Sequence, residues 1–136
     1  MSFGGEFAFG PARAAACAAA AWLDVGDGEE AARYAQEALE AYNRLSPTRR
    51  PYSQINGSKI DLAAAHLCLE ERDGAIQTLS DVLDLAGGRR NTSLAGRMTR
   101  VRYLLAKSPW EHDPKAQHLA MEVSGWLSES SPGLIN

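Results

Sequence analysis

The sequence predicts an all-α fold built from paired helices, and three observations support this prediction. Stretches that alternate apolar and polar residues are short and scattered, so strand signals are nearly absent. Residues that begin and end helices recur along the whole chain. The chain also repeats itself, because "GDGEEAARYAQEAL" at 26–39 and "EERDGAIQTLSDVL" at 70–83 carry small or apolar residues in matching slots. Ala31 and Ala75 occupy the same slot, 44 positions apart.

The first two helices are marked by their terminal residues. Pro11 follows Gly10 and is expected to open a helix that runs through the alanines to Leu23. Asp27 is expected to cap the second helix, with Glu30 three residues later completing a capping box. This helix should continue to about residue 45, where two prolines follow.

The remaining pairs repeat that organisation. Glycines after a last helical turn suit a left-handed cap, so "GGRR" at 87–90 should end the fourth helix. A weaker third copy places Ala116, Ala120 and Val123 in the repeated slots. We therefore expect one domain over 1–136, with repeats at about 11–45, 52–86 and 92–128 and a flexible tail at 129–136. Its third to sixth helices are predicted at 52–69, 75–86, 92–107 and 113–128.

Composition narrows the class of protein. The 136 residues are 45% hydrophobic and 23% charged, as in ordinary globular domains, and the formal net charge is −3. We find no apolar run long enough to span a membrane and no basic segment typical of a signal peptide. Cys17 and Cys68 lie too far apart in sequence for a metal-ligand motif. These features predict a soluble cytoplasmic protein without a cofactor or a metal.

Small residues on neighbouring helices predict where the helices cross. Methyl groups at a crossing let two backbones approach closely. We expect Trp22 to close the open end of the first pair with a large buried surface. The third helix is apolar almost all round, so it should be the central element of the stack. The expected crossing joins Ala15, Ala18 and Ala19 to Ala31, Ala35 and Ala38.

The stretch "WLDVGDGEEAARYAQEAL" at 22–39 resembles the turn and second helix of a tetratricopeptide repeat. Gly26 matches the turn glycine, Ala31 the small residue that follows it, and Trp22 the aromatic position of the first helix. In the second copy His66 takes the aromatic position and Glu70 replaces the turn glycine, so the motif is degraded there. The resemblance implies a right-handed α-solenoid of about three antiparallel helix pairs that serves for protein or peptide binding.

A more specific likeness rests on "KIDLAAAHL", "DGAIQTLSDVLDL" and "RMTRVRYLL" within residues 52–106. These segments are similar to the C-terminal helical-repeat region of actinobacterial transcription regulators that carry an Xre/Cro-type helix-turn-helix. The resemblance implies a sensory or oligomerising part of such a regulator. The helix-turn-helix itself is not present in this chain, so we expect no direct nucleic-acid binding. A free-standing adaptor and a small-molecule receptor remain alternatives.

Repeat geometry predicts a groove between successive first helices as the binding site. Its expected lining is Arg13, Ala16, Ala20, Leu23, Ala64, Leu67, Val101 and Leu105. A second prediction is a positive stripe, because Arg97, Arg100 and Lys107 share one face of the fifth helix. The stripe could hold an acidic peptide, a phosphate-bearing ligand or the acidic part of a second copy, which leaves a homodimer open. The alternative is a solvated face with intramolecular ion pairs.

Asp61 stands out because it lies inside the most apolar helix. A buried carboxylate needs a partner, and Arg97 or Arg100 is expected to supply one in a structural salt bridge rather than a ligand contact. We find neither a nucleophile–base constellation nor a phosphate loop in the sequence. The three histidines do not form an i, i+4 metal pair with one another. The sequence therefore does not predict an enzyme.

Overall fold

The computed structural model describes residues 3–85 and 92–135, and these residues form helices and connecting turns without a strand. The predicted all-α class is confirmed over these ranges. None of the helices described there has the length and apolar character needed to cross a membrane. The helices are α1 (Phe3–Asp24), α2 (Gly28–Asn43), α3 (Tyr52–Cys68), α4 (Arg72–Leu83), α5 (Thr92–Leu105) and α6 (Pro114–Ile135), with short 3-10 turns at Pro47–Arg49 and Trp110–His112.

Helix α3 lies at the centre of the packing, as its apolar sequence predicts. It contacts α1, α2, α4 and α5. Neighbours on so many sides leave it no polar face, so most of its residues are buried. Helix α5 packs against α3 and α6, and α6 also reaches α4. The first helices of the three predicted pairs, α1, α3 and α5, therefore follow one another through direct contacts.

The crossing of α1 and α2 is built from alanine side chains. Ala15 is buried in one cluster with Ala38, and Ala19 is buried in another with Ala35. Ala31 is also fully buried, whereas Ala18 is only partly covered. Methyl-sized side chains let the two backbones come together here, because larger groups would hold them apart.

The turns that join α1 to α2 and α3 to α4 have the same backbone geometry. Gly26 has φ +79° and Glu70 has φ +59°, so both residues are in the left-handed conformation, 44 positions apart. In each turn the backbone amide of the residue after the left-handed one donates a hydrogen bond to a carbonyl in the last turn of the preceding helix. These hydrogen bonds join Asp27 N to Trp22 O at 3.0 Å and Glu71 N to His66 O at 2.7 Å. The repeat seen in sequence is thus also a repeat in backbone conformation, even where glycine is replaced.

The N-terminus of α2 begins as predicted, except for one half of the capping box. Asp27 Oδ1 accepts a hydrogen bond from the Glu30 amide at 3.0 Å. The Asp27 amide does not donate to the Glu30 carboxylate, because that carboxylate pairs with Arg33 at 2.7 Å. The Asp27 amide already donates to a carbonyl of α1.

Several predicted helix ends are wrong. Helix α1 starts at Phe3 with Pro11 inside it. Proline lacks one amide donor, and the burial of Ala12 and Ala15 keeps the helix intact after it. Helix α6 continues to Ile135, so the tail predicted from 129 is helical to that residue. Buried Trp126 anchors this helix shortly before the predicted tail. The glycines at 87 and 88 lie outside the described residues.

Trp22 does not close the first pair as predicted, because its side chain is 37% exposed. Leu23 takes the inward position at the end of α1, and one residue along a helix rotates the side chain by about 100°. In the second copy, His66 lies against Gly74, where an added Cβ would come within 3.0 Å of Nδ1. His66 Nδ1 also hydrogen-bonds to Glu71 Oε1 at 2.8 Å.

Two tryptophans attach the third pair to the second. Trp110 Nε1 donates to Leu67 O near the end of α3, and Trp126 Nε1 donates to Val82 O near the end of α4, each at 3.2 Å. Each of these carbonyls also accepts a hydrogen bond at 3.1 Å from a backbone amide of the turn that follows its helix, Glu70 N or Leu85 N. Each indole group therefore adds a second hydrogen bond to its carbonyl while burying a large apolar ring.

Replacing Ala31 or Ala75 by leucine should lower the free energy of unfolding by about 1–3 kcal/mol, because both positions are fully buried and a larger side chain overpacks the crossing. Chemical denaturation monitored by circular dichroism measures the change. Gln36→Leu, at an exposed position of α2, is the matched control. Unchanged stability of both alanine variants would refute the assigned crossings.

Glu70→Gly should raise the free energy of unfolding by about 0.5–1 kcal/mol, because glycine adopts the left-handed conformation without steric cost. Gly26→Ala should lower it by about 1 kcal/mol for the same reason, since no heavy atom lies within 4 Å of a Cβ added at that position. The two variants are compared in the same denaturation experiment. If both substitutions changed the free energy of unfolding in the same direction, the shared turn geometry would be contradicted.

Candidate functional site

A groove of about 610 Å³ runs across the first helices of the three pairs. We call it the α1–α3–α5 groove. Its walls come from α1, α3 and α5, with a single tyrosine from α2 at one side. It is lined by Arg13, Ala16, Cys17, Ala20, Ala21, Asp24, Tyr42, Ser53, Gln54, Gly57, Ser58, Ser93 and Arg97.

The α1 wall is made of small side chains because α1 has two alanine faces. The face with Ala15 and Ala19 is buried against α2. Ala16 and Ala20 lie one residue further along the helix and line the groove. Cys17 beside them is exposed and is a free thiol. The same run of alanines therefore forms both the crossing with α2 and a methyl-lined wall.

Arg97 reaches from α5 to the carboxylate of Asp61 on α3. Arg97 Nη1 donates to Asp61 Oδ2, and Asp61 is only 2% exposed. The guanidinium passes over Gly57, where an added Cβ would lie 3.1 Å from Arg97 Nε. Burial raises the pKa of Asp61, and the charge and hydrogen bond of Arg97 oppose that rise. This is one of the two partners that the sequence analysis named for Asp61.

The predicted positive stripe on α5 is not a single open surface. Arg97 is engaged by Asp61, and Arg100 Nη2 lies 2.5 Å from Asp24 Oδ1 of α1. Lys107 Nζ lies 3.9 Å from the ring centroid of Tyr103 and does not line the groove. Acids from α1 and α3 thus neutralise the two arginines, which is the intramolecular pairing weighed as the alternative.

Part of the predicted groove lining is wrong. Arg13, Ala16 and Ala20 line the groove. Leu23 and Leu67 instead belong to the hydrophobic core, with exposed fractions of 8% and 2%. The core also takes Ala64, Val101 and Leu105. These side chains face inward because the first helices contact one another directly, so that their shared face is closed to solvent.

Two buried hydroxyl groups that line the groove were not predicted from the sequence. Tyr42 is almost fully buried, and burial raises the pKa of its phenol while nearby Arg13 and Arg97 oppose the rise. Ser58 is 3% exposed, and its Oγ has no hydrogen-bond partner within the described residues. Ser58 lies three residues before Asp61, so both are on one face of α3. That spacing could have indicated that Ser58 is buried, but not that its hydroxyl lacks a partner.

A second opening of about 480 Å³ lies between α2, α3 and α4. Lys59 and Asp81 pair across it at 3.4 Å, which joins α3 to α4. Over residues 3–85 and 92–135, His, Cys, Asp and Glu side chains do not come together in groups of three or more that could hold a metal ion. The α1–α3–α5 groove is the larger opening and contains the unpartnered Ser58, so it is the candidate site.

Comparison with protein-family models, with curated proteins and with solved structures finds no match to this chain.

Arg97→Gln should lower the free energy of unfolding by about 3 kcal/mol at neutral pH, because it leaves the buried Asp61 carboxylate without its hydrogen-bonded ion-pair partner. Burial raises the pKa of Asp61 in the folded state, so the folded chain binds the proton more tightly than the unfolded chain. Removing Arg97 raises this pKa further, so the loss should shrink as the pH falls from the folded-state pKa of the variant to that of the unchanged chain, and it should stay constant below that.

Denaturation of the variant at a series of pH values measures this effect. The double variant Arg97→Gln with Asp61→Asn is the control, because its amide does not titrate. A loss of stability that is the same at every pH would show that Asp61 is not held by Arg97.

Proposed function

We propose that this chain is a tetratricopeptide-like interaction module that binds a peptide segment of a partner protein in the α1–α3–α5 groove. The observation that carries the proposal is the line of first helices, α1, α3 and α5, that together form the groove. Repeat proteins present such a continuous surface because each repeat contacts its neighbours. We extend the proposal to a right-handed solenoid of three helix pairs, and the turn geometry shared by Gly26 and Glu70 supports the repetition of its first two pairs.

The groove has the character of a peptide-binding surface. Its α1 wall offers methyl groups that can pack against apolar side chains, and its other walls offer serine, glutamine and arginine side chains. Arg13 is exposed and forms no ion pair within the described residues. An extended segment with an apolar stretch and an acidic residue is complementary to this lining.

We further propose that the module is the sensory or oligomerising part of a cytoplasmic transcription regulator. This proposal rests only on the resemblance expected from residues 52–106 to the helical-repeat region of Xre/Cro-type regulators. In such a regulator, a bound peptide favours one arrangement of the module and so changes how associated DNA-binding units pair. A tight and salt-resistant complex of this chain alone with a defined DNA duplex would contradict the assignment.

A small-molecule receptor is the second candidate function. The groove volume of about 610 Å³ is within the range of drug-sized ligand pockets. Its partly enclosed polar and apolar lining would suit an organic molecule with one charged group. The two candidates differ in the size of the binder that occupies the groove.

Peptides selected against the immobilised chain from a random library should bind Ala21→Arg about tenfold more weakly than the unchanged chain. Ala21 is exposed and lines the groove, so an arginine there narrows it without disturbing the core. Ala14→Arg is the matched control, because Ala14 is an exposed alanine of the same helix outside the groove lining. Fluorescence anisotropy with labelled peptides measures the affinities.

If Ala14→Arg and Ala21→Arg weakened peptide binding equally, the peptide would bind outside the α1–α3–α5 groove. Failure to select any peptide would overturn the peptide-binding role and favour the small-molecule receptor.

A further inference from the structure

Ser58 is a buried hydroxyl that the fold does not use. Its side chain lines the α1–α3–α5 groove, and its Oγ has no hydrogen-bond partner within the part of the chain that the structure describes. Leaving a buried polar group unpaired is unfavourable, so such groups are rare in folded proteins. A ligand group that hydrogen-bonds to this hydroxyl would explain why no group of the chain does so.

The charges in the groove are not balanced. Arg97 is matched by Asp61, and Asp24 is matched by Arg100. Arg13 also lines the groove and has no carboxylate partner within residues 3–85 and 92–135. One positive charge is therefore in excess among the described groups of the groove, and it is available to a ligand.

Three groups that line the groove lie together at one end of it. Arg13, Tyr42 and Gln54 border a small recess next to Pro51. The phenol of Tyr42 is close enough to Arg13 and Arg97 for both cations to affect its pKa. Ser58 lies one turn after Gln54 on α3. Arginine and hydroxyl groups all donate hydrogen bonds, so a single acceptor with negative charge satisfies several of them at once.

We propose that Arg13, Ser58 and Tyr42, together with the free edge of the Arg97 guanidinium, form a carboxylate subsite for an aspartate or glutamate side chain of the bound peptide. The excess of one positive charge matches a monoanion better than a dianionic phosphate group. The neighbouring alanine wall then contacts the apolar residues beside that acidic side chain. This inference rests on the proposed peptide-binding function.

Propionate and propionamide are suitable probes, because they reproduce the end groups of glutamate and glutamine. Titration of the isotope-labelled chain with each probe, followed by the backbone amide signals of residues 54–58, measures binding at the subsite. Propionate should bind about tenfold more tightly than propionamide, since only the carboxylate makes charge-assisted hydrogen bonds. Equal affinities would overturn the subsite.

Two variants test the roles of individual groups. Arg13→Gln should weaken propionate binding about tenfold, with Arg102→Gln on the exposed face of α5 as the control. Ser58→Ala should weaken it about threefold without lowering the melting temperature, because no hydrogen bond within the chain is lost. Ser80→Ala, at an exposed position of α4, is its control. A Ser58→Ala variant that keeps full propionate affinity would remove Ser58 from the subsite.

The peptides selected for groove binding separate this inference from the proposed function. Replacing their acidic residue by its amide should weaken binding about tenfold in the unchanged chain and much less in Arg13→Gln. Peptides that bind the groove with no dependence on an acidic residue would overturn the carboxylate subsite alone. Propionate binding at residues 54–58 without any groove-binding peptide would overturn the peptide-binding role and retain the subsite.

Discussion

The position of α3 between four other helices is the constraint on which the rest of the structure depends. A helix covered on so many sides must satisfy its polar side chains within the protein. Asn56 does so by donating to Tyr52 O at 2.9 Å, and Asp61 does so through Arg97 of α5. The pairing of Asp61 with Arg97 joins the second helix pair to the third and also places a guanidinium in the groove. Ser58 is the remaining polar side chain of this buried set, and it faces the same opening.

Small side chains decide where the helices meet and what the groove is made of. Helix α1 has one alanine face that packs against α2 and an adjacent alanine face that lines the groove. Glycine has a similar effect where α2 begins, because a Cβ added at Gly28 would come within 2.8 Å of Cys68 Cβ. The close approach of α1, α2 and α3 and the methyl-lined wall of the groove are therefore two results of one sequence pattern. The proposed binding role therefore uses residues of the same helix that builds the fold.

The helical class, the α1–α2 crossing and the central place of α3 could be predicted from sequence, because each depends on periodic small or apolar residues. Helix ends were harder, since Pro11 is accepted inside α1 when its neighbours are held by packing. The groove could be predicted only in part. Leu23 and Leu67 have the same apolar character whether they face a groove or a neighbouring helix, so their burial depends on how closely the first helices approach. The importance of Ser58 depends on the absence of a partner, which a sequence does not display.

The unequal placement of the three tryptophans has a consequence for spectroscopy. Trp110 and Trp126 are buried and bonded to main-chain carbonyls of α3 and α4, whereas Trp22 is partly open to water. Buried indoles emit at shorter wavelengths than hydrated ones. Intrinsic fluorescence of this chain therefore reports mainly on whether α5 and α6 remain attached to the second helix pair. Partial detachment of that C-terminal unit would shift the emission to longer wavelengths even while the alanine crossing of α1 and α2 stayed intact.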